Sequence, residues 1–96
     1  MKIEVEQQVR DFVGSLAPEP RRLIREALQK LAQEKGDIRA LEGELEGFYR
    51  LRVGRYRIIF CYRRERQTRM IRCVYAAYRT LIYEVFAQEF HDLLEG

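Results

Sequence analysis

Between Gly47 and Arg79 the chain carries ten arginines and a single acid, Glu65, so a net charge of +9 is packed into 33 residues. Every base in that stretch is arginine, although lysine would serve solubility equally well. The planar guanidinium fork binds phosphate in bidentate fashion, which a lysine ammonium cannot do. An ordinary solvated face mixes both signs, and like charges placed directly across strands repel. The bland reading, a half-solvated sheet with alternating charges and no partner, is therefore disfavoured, and the chemistry indicated is the gripping of a polyanion, RNA above all. The remainder is balanced differently: residues 1–46 hold ten acids against eight bases.

The arginines must be positioned by strands. Phe48 to Val53 alternates Tyr49, Leu51 and Val53 against Arg50 and Arg52, and Tyr56 to Tyr62 is a second run rich in β-formers, with Gly54 as the hairpin turn between them. Successive side chains on a strand point to opposite faces. Arg50 and Arg52 thus share one face, and a register that buries Tyr56, Ile58 and Phe60 brings Arg57 beside them. Met70 to Ala77 reads as a further strand that ends in Tyr78-Arg79. The next helix brings Tyr83 one turn later, so that Arg79 and Tyr83 rim the cluster. The expected site is Arg50, Arg52, Arg57, Arg79 and Tyr83.

Around this sheet the spacing predicts helices. Lys2 to Glu6 alternates as a short strand. Val9, Phe12, Val13 and Leu16 recur at helical spacing until Ala17-Pro18-Glu19-Pro20 breaks the helix. A second helix runs from near Pro20 to about Lys35, with Leu23, Ile24, Ala27, Leu28, Leu31 and Ala32 as its apolar stripe and Gly36 as its C-terminal cap. Asp37 to Gly47 reads as irregular. From Thr80 the period is again helical, through Ile82, Val85, Phe86, Phe90, Leu93 and Leu94. The order β-α-α-β-β-β-α specifies an α+β fold: an antiparallel sheet with an N-terminal helical hairpin and a C-terminal helix.

Ninety-six residues accommodate one domain, residues 1–96, around one core. No apolar run reaches the length of a membrane span, and MKIEVEQQVRDF lacks the unbroken apolar stretch of a signal peptide, so a cytoplasmic protein with no membrane partner is expected. Cys61 and Cys73 lie in apolar β-like segments and read as reduced packing residues. Two thiols and a lone histidine, His91, which reads as a surface residue, form no metal site, and no glycine-rich phosphate loop is present. Neither metal nor cofactor is expected.

The stretch Leu41 to Phe60, LEGELEGFYRLRVGRYRIIF, resembles the signature of the RelE/ParE superfamily of type II toxin-antitoxin toxins. That signature is a leucine-glycine element, a tyrosine-arginine-leucine-arginine strand and a glycine-x-tyrosine-arginine strand. Tyr78-Arg79-Thr80-Leu81-Ile82-Tyr83 stands where the superfamily has histidine-arginine-arginine-glutamate-valine-tyrosine, departing from the histidine pattern at Tyr78. The resemblance covers nearly the whole chain and includes the element order. It implies, for the RelE branch, cleavage of mRNA in the ribosomal A site by a ribosome-dependent endoribonuclease. Arg50, Arg52, Arg57, Arg79 and Tyr83 then fall on the catalytic positions. With RNA as the polyanion, Arg55, Arg72 and Tyr78 are expected to contact it beside them. The resemblance further implies a cognate antitoxin whose acidic, partly helical segment covers the basic sheet, and a higher-order toxin-antitoxin complex on operator DNA.

Attack of a ribose 2′-hydroxyl on the adjacent phosphate needs a proton acceptor, stabilisation of charge on phosphorus and help for the leaving 5′-oxygen. Arginine supplies the second role and not the first, since its pKa lies above about 12. Tyr83 is the candidate base, because neighbouring guanidinium groups favour a phenolate. Its alternative role is to stack on a base, with proton transfer left to the ribosome or solvent. Two other readings of the whole chain remain open at this point: a ParE-like inhibitor that binds DNA gyrase and cuts nothing, and a catalytically silent member that only binds its antitoxin.

Overall fold

The computed structural model describes residues 1–81 together with Phe86 and Gln88. Strand β1 is Lys2–Val5, helix α1 is Gln7–Ser15, and helix α2 is Pro18–Leu31. Strand β2, Asp37–Ala40, is followed by a 3-10 turn, Gly43–Leu45, and then by β3 (Tyr49–Val53), β4 (Tyr56–Glu65) and β5 (Thr68–Tyr78). The five strands form one sheet in the order β1-β5-β4-β3-β2. The α+β architecture and the run of helices followed by strands are as the sequence predicts. The predicted C-terminal helix lies outside the described residues, except for Phe86 and Gln88, which are helical.

Three features differ from the sequence reading. The sheet is mixed, because β1 runs parallel to β5 from Lys2↔Met70 to Val5↔Cys73; local alternation reveals a strand but neither its partner nor its direction. The segment read as irregular contains β2, paired antiparallel to β3 from Asp37↔Arg52 to Ala40↔Tyr49. Four residues between a glycine and a 3-10 turn are too short for period 2 to stand out. Finally, α2 starts at Pro18 as its first residue and stops at Leu31. The backbone N–H of Glu34 donates to Leu31 O and that of Lys35 to Lys30 O, 2.8 and 3.0 Å, with Glu34 at φ 57. This is the Schellman closure, and Glu34 rather than Gly36 takes its left-handed position.

The two helices cover one face of the sheet. Val9, Val13, Ile24 and Leu31 are buried there against Leu51, Ile58, Phe60, Ile71, Cys73 and Ala76. Leu23, expected in the same stripe, is 45% exposed. One helical step of 100° carries it away from Ile24, and it borders a groove with Val53 and Gly54 instead. A register shift between Ile59 and Phe60 interrupts the β4–β5 ladder. The irregularity leaves Val74 and Tyr75 together on the opposite face, where Tyr75 and Ile59 are buried with Phe86 in a second cluster.

Beyond the end of β1, the outer edge of β5 is completed by a side chain. Gln8 Nε2 donates to Ala76 O and Ala76 N donates to Gln8 Oε1, both 2.8 Å. A glutamine amide has the same donor-acceptor pair as a peptide, so it substitutes for the missing neighbour strand. Gln8→Leu is expected to strand both backbone groups and to cost about 1–3 kcal/mol, visible as a lower midpoint in urea unfolding with an unchanged slope.

Candidate functional site

The face of the sheet not covered by α1 and α2 carries the arginines. The β3–β4 hairpin turns through Gly54, at φ 58, and Arg55, and its closing pair is Val53↔Tyr56. That two-residue turn dictates the register behind it: Arg52 lies directly opposite Arg57, and Arg50 opposite Ile59. Opposed Cα atoms in an antiparallel pair are about 5 Å apart, so Arg52 and Arg57 are neighbours in space. The parity argument thus holds, with Leu51, Ile58 and Phe60 buried on the helical side.

The same end of the sheet receives Arg79, whose backbone N–H donates to Arg55 O at 2.8 Å, extending the β4–β5 ladder past Arg57↔Ala77 and Tyr56↔Tyr78. Arg52, Arg55 and Arg79 are exposed, and Arg57 is half-buried. The Arg57 guanidinium folds back on the turn, where Nη1 donates to Gly54 O at 2.7 Å and to Tyr56 O at 2.9 Å. Both acceptors are backbone carbonyls, and they hold the group against the turn. Arg50 differs: its side chain is only 12% exposed and its Nη1 lies 3.4 Å from Asp37 Oδ1, a carboxylate supplied by β2.

Of the three residues expected to contact RNA beside the cluster, only Arg55 joins it. Arg72 sits near the other edge of the sheet, where Nε donates to Glu6 Oε1 at 2.8 Å and Nη1 is 3.9 Å from Glu4 Oε2, so its charge is largely compensated. Tyr78 shares the helical face with Tyr56 and Phe12, its ring centroid 5.3 and 5.7 Å from theirs. It is 42% exposed, as the edge of an aromatic cluster rather than a platform among the arginines. Tyr83 lies outside the described residues. Sequence reasoning missed Arg39, which is exposed on β2 directly opposite Arg50. The alternation Asp37-Ile38-Arg39-Ala40 was its only signal.

Among the described residues no group of three or more histidine, cysteine or acidic side chains is placed to hold a metal ion, and no helix is long and apolar enough to cross a membrane. Both cysteines are free thiols. Burial, with a smaller contribution from Cys61, pushes the Cys73 thiol up to about 12. At pH 8 its thiolate is then about 10⁻⁴ of the population, and the thiolate is the reactive form. Iodoacetamide at that pH is expected to alkylate half-buried Cys61 in the native protein and to spare Cys73 until denaturant is added, as read by peptide mass mapping.

No family model matches the sequence, and no curated protein matches it. Solved structures do. The RelE toxin of an archaeal RelE-RelB complex from Pyrococcus horikoshii OT3 is 28% identical, with a TM-score of 0.61 over 81% of this chain and 93% of that one. In the toxin-antitoxin complex RelBE2 from Mycobacterium tuberculosis the match is 22% identical, with a TM-score of 0.66 over 81% of this chain and 96% of that one. A YoeB/ParE toxin from Agrobacterium tumefaciens is 15% identical, with a TM-score of 0.64 over 82% of this chain and 99% of that one. Two helices on a five-stranded mixed sheet are the RelE/ParE toxin fold, and this chain resembles that superfamily over 81–82% of its length.

Proposed function

We propose that this chain is the toxin of a toxin-antitoxin pair and that it cuts mRNA on the translating ribosome. The observation that carries the reading is the convergence of Arg52, Arg55, Arg57 and Arg79 on one end of the sheet, with the Arg57 guanidinium aimed by hydrogen bonds to Gly54 O and Tyr56 O. Charges so close together repel, and a phosphodiester relieves that repulsion. The repulsion is worth most where charge on phosphorus peaks, in the transition state of 2′-hydroxyl attack. Arg52 and Arg57 are assigned to the scissile phosphate, and Arg55 and Arg79 to the flanking backbone. Arg50, paired with Asp37, supports Arg52 from the next position on its face. Tyr83, four residues past Arg79, is the proton acceptor or a stacking surface for a base. An antitoxin would silence the toxin by laying an acidic segment over the same arginines; the RelE-RelB and RelBE2 complexes, whose toxins have this fold, support such a partner.

Primer extension on an mRNA translated in a purified system tests the reading, with the same RNA lacking ribosomes as control. Cuts that need ribosomes and keep phase with the reading frame are expected. Intact mRNA at saturating protein would overturn nuclease activity, and a gyrase supercoiling assay would then separate an inhibitor from a protein that only binds its antitoxin.

A further inference from the structure

The tip of the β4–β5 hairpin holds a second group of arginines that the site above does not use. Arg64 lies directly opposite Arg69, Arg63 projects from the other face opposite Met70, and Arg66 occupies the turn. All four are exposed, and none forms an ion pair within 4 Å among the described residues, unlike Arg22, Arg50 and Arg72, each of which has a carboxylate partner. The acid at the tip, Glu65, stands opposite Thr68. Arg69 lies over the Tyr62 ring, 5.2 Å from its centroid, which supports the strand beneath without removing charge.

Two features make this more than a solvated end. A cross-strand pair of like charges destabilises its own ladder, so Arg64 and Arg69 weaken the hairpin they terminate. The turn itself has positive φ at both central residues, 53° at Arg66 and 80° at Gln67. Asparagine-glycine fits that two-residue turn with little strain, whereas arginine and glutamine do not. The tip therefore has a local preference overridden twice, each time in favour of cationic or hydrogen-bonding side chains. A polyanion seated on the tip supplies the compensation that the free protein lacks.

We infer that the hairpin tip, through Arg63, Arg64, Arg66 and Arg69, is a second RNA-binding pole that grips backbone phosphates at a distance from the first. Arg64 lies seven positions beyond Arg57 on β4, about 23 Å along an extended strand. A strand held at the first pole reaches the second only by running on for several more nucleotides; the inference assigns the second pole to a folded RNA segment. Arginines on both faces and on the turn suit a ribbon flanked by phosphates rather than a flat contact. The choice of RNA rests on the function proposed above, and the ribosome is then the source of the folded segment.

The test is equilibrium binding of a 30-base-pair RNA duplex, measured against salt and needing no cleavage. The variants are Arg64→Gln/Arg66→Gln/Arg69→Gln and the corresponding triple lysine change, each checked for a native melting transition. Each lost phosphate contact lowers the slope of log K against log salt by about one, so the glutamine variant is expected to lose about three and to bind roughly tenfold or more weakly at 0.1 M salt. The lysine variant retains the slope, because counterion release needs charge and not the fork. An unchanged slope in the glutamine variant overturns the inference, as does a loss confined to binding of polyglutamate, which would make the tip a protein-docking surface. Ribosome-dependent cleavage is read separately, so mRNA left intact by wild-type protein would count against the nuclease and not against the pole.

Discussion

Replacing Arg57 by alanine is expected to lower the single-turnover rate of the proposed ribosome-dependent cleavage by about 100-fold or more, the range found when one preorganised donor is removed from a developing oxyanion. Arg57 is the arginine whose direction is set by the turn it touches, through Gly54 O and Tyr56 O. A donor already aimed costs little to reorganise during reaction, so its loss falls on the transition state rather than on binding. Those same bonds make a small structural contribution, about 1 kcal/mol, and a melting temperature a few degrees lower is expected alongside. Arg57→Lys separates charge from geometry: it keeps the cation, loses the fork, and should recover RNA affinity but not rate. Full activity in Arg57→Ala would remove this residue from the site.

Gly36→Ala is expected to destabilise the fold by about 2–3 kcal/mol, with a melting temperature lower by roughly 10 °C. At φ 136 the backbone of Gly36 lies where side chains are rarely tolerated, and an added Cβ would stand 2.9 Å from Leu51 Cδ1. Leu51 is 1% exposed, so any shift of its methyl disturbs the side chains packed around it. The damage reaches the site through the next residue, because Asp37 opens β2, pairs with Arg50 and stands opposite Arg52. A weakened β2 frees Arg50 and loosens Arg39, so cleavage should fall even at temperatures where the protein is folded. Thermal unfolding by circular dichroism checks the first effect, and cleavage assayed well below the midpoint checks the second. A melting temperature equal to that of the wild type would show that Leu51 repacks freely.

The shared face of the candidate arginines was legible because strand parity is a property of the backbone. Arg50, Arg52 and Arg57 fall on one face once Tyr49, Leu51, Ile58 and Phe60 are buried, and the two-residue turn at Gly54-Arg55 leaves little freedom of register. Arg79 could be placed by chain order alone, since β5 returns beside β4 and ends at the turn. Helix α2 was visible from its stripe, although its start was read near Pro20 rather than at Pro18, and Leu23, read as part of the stripe, is 45% exposed.

The amino-acid sequence by itself determined the α+β class, the two-faced β3–β4 hairpin and the excess of arginine that gives one face its charge, because these rest on local spacing and composition. Tertiary structure decided which arginines meet a carboxylate. Arg72 donates to Glu6, 66 residues away, and Arg50 to Asp37, 13 residues away. Those pairings depend on the parallel docking of β1 and on β2 as an edge strand, contacts between segments whose individual patterns are four residues long. Local periodicity carries no information about such partners; burial of the two strands against a shared core selects them.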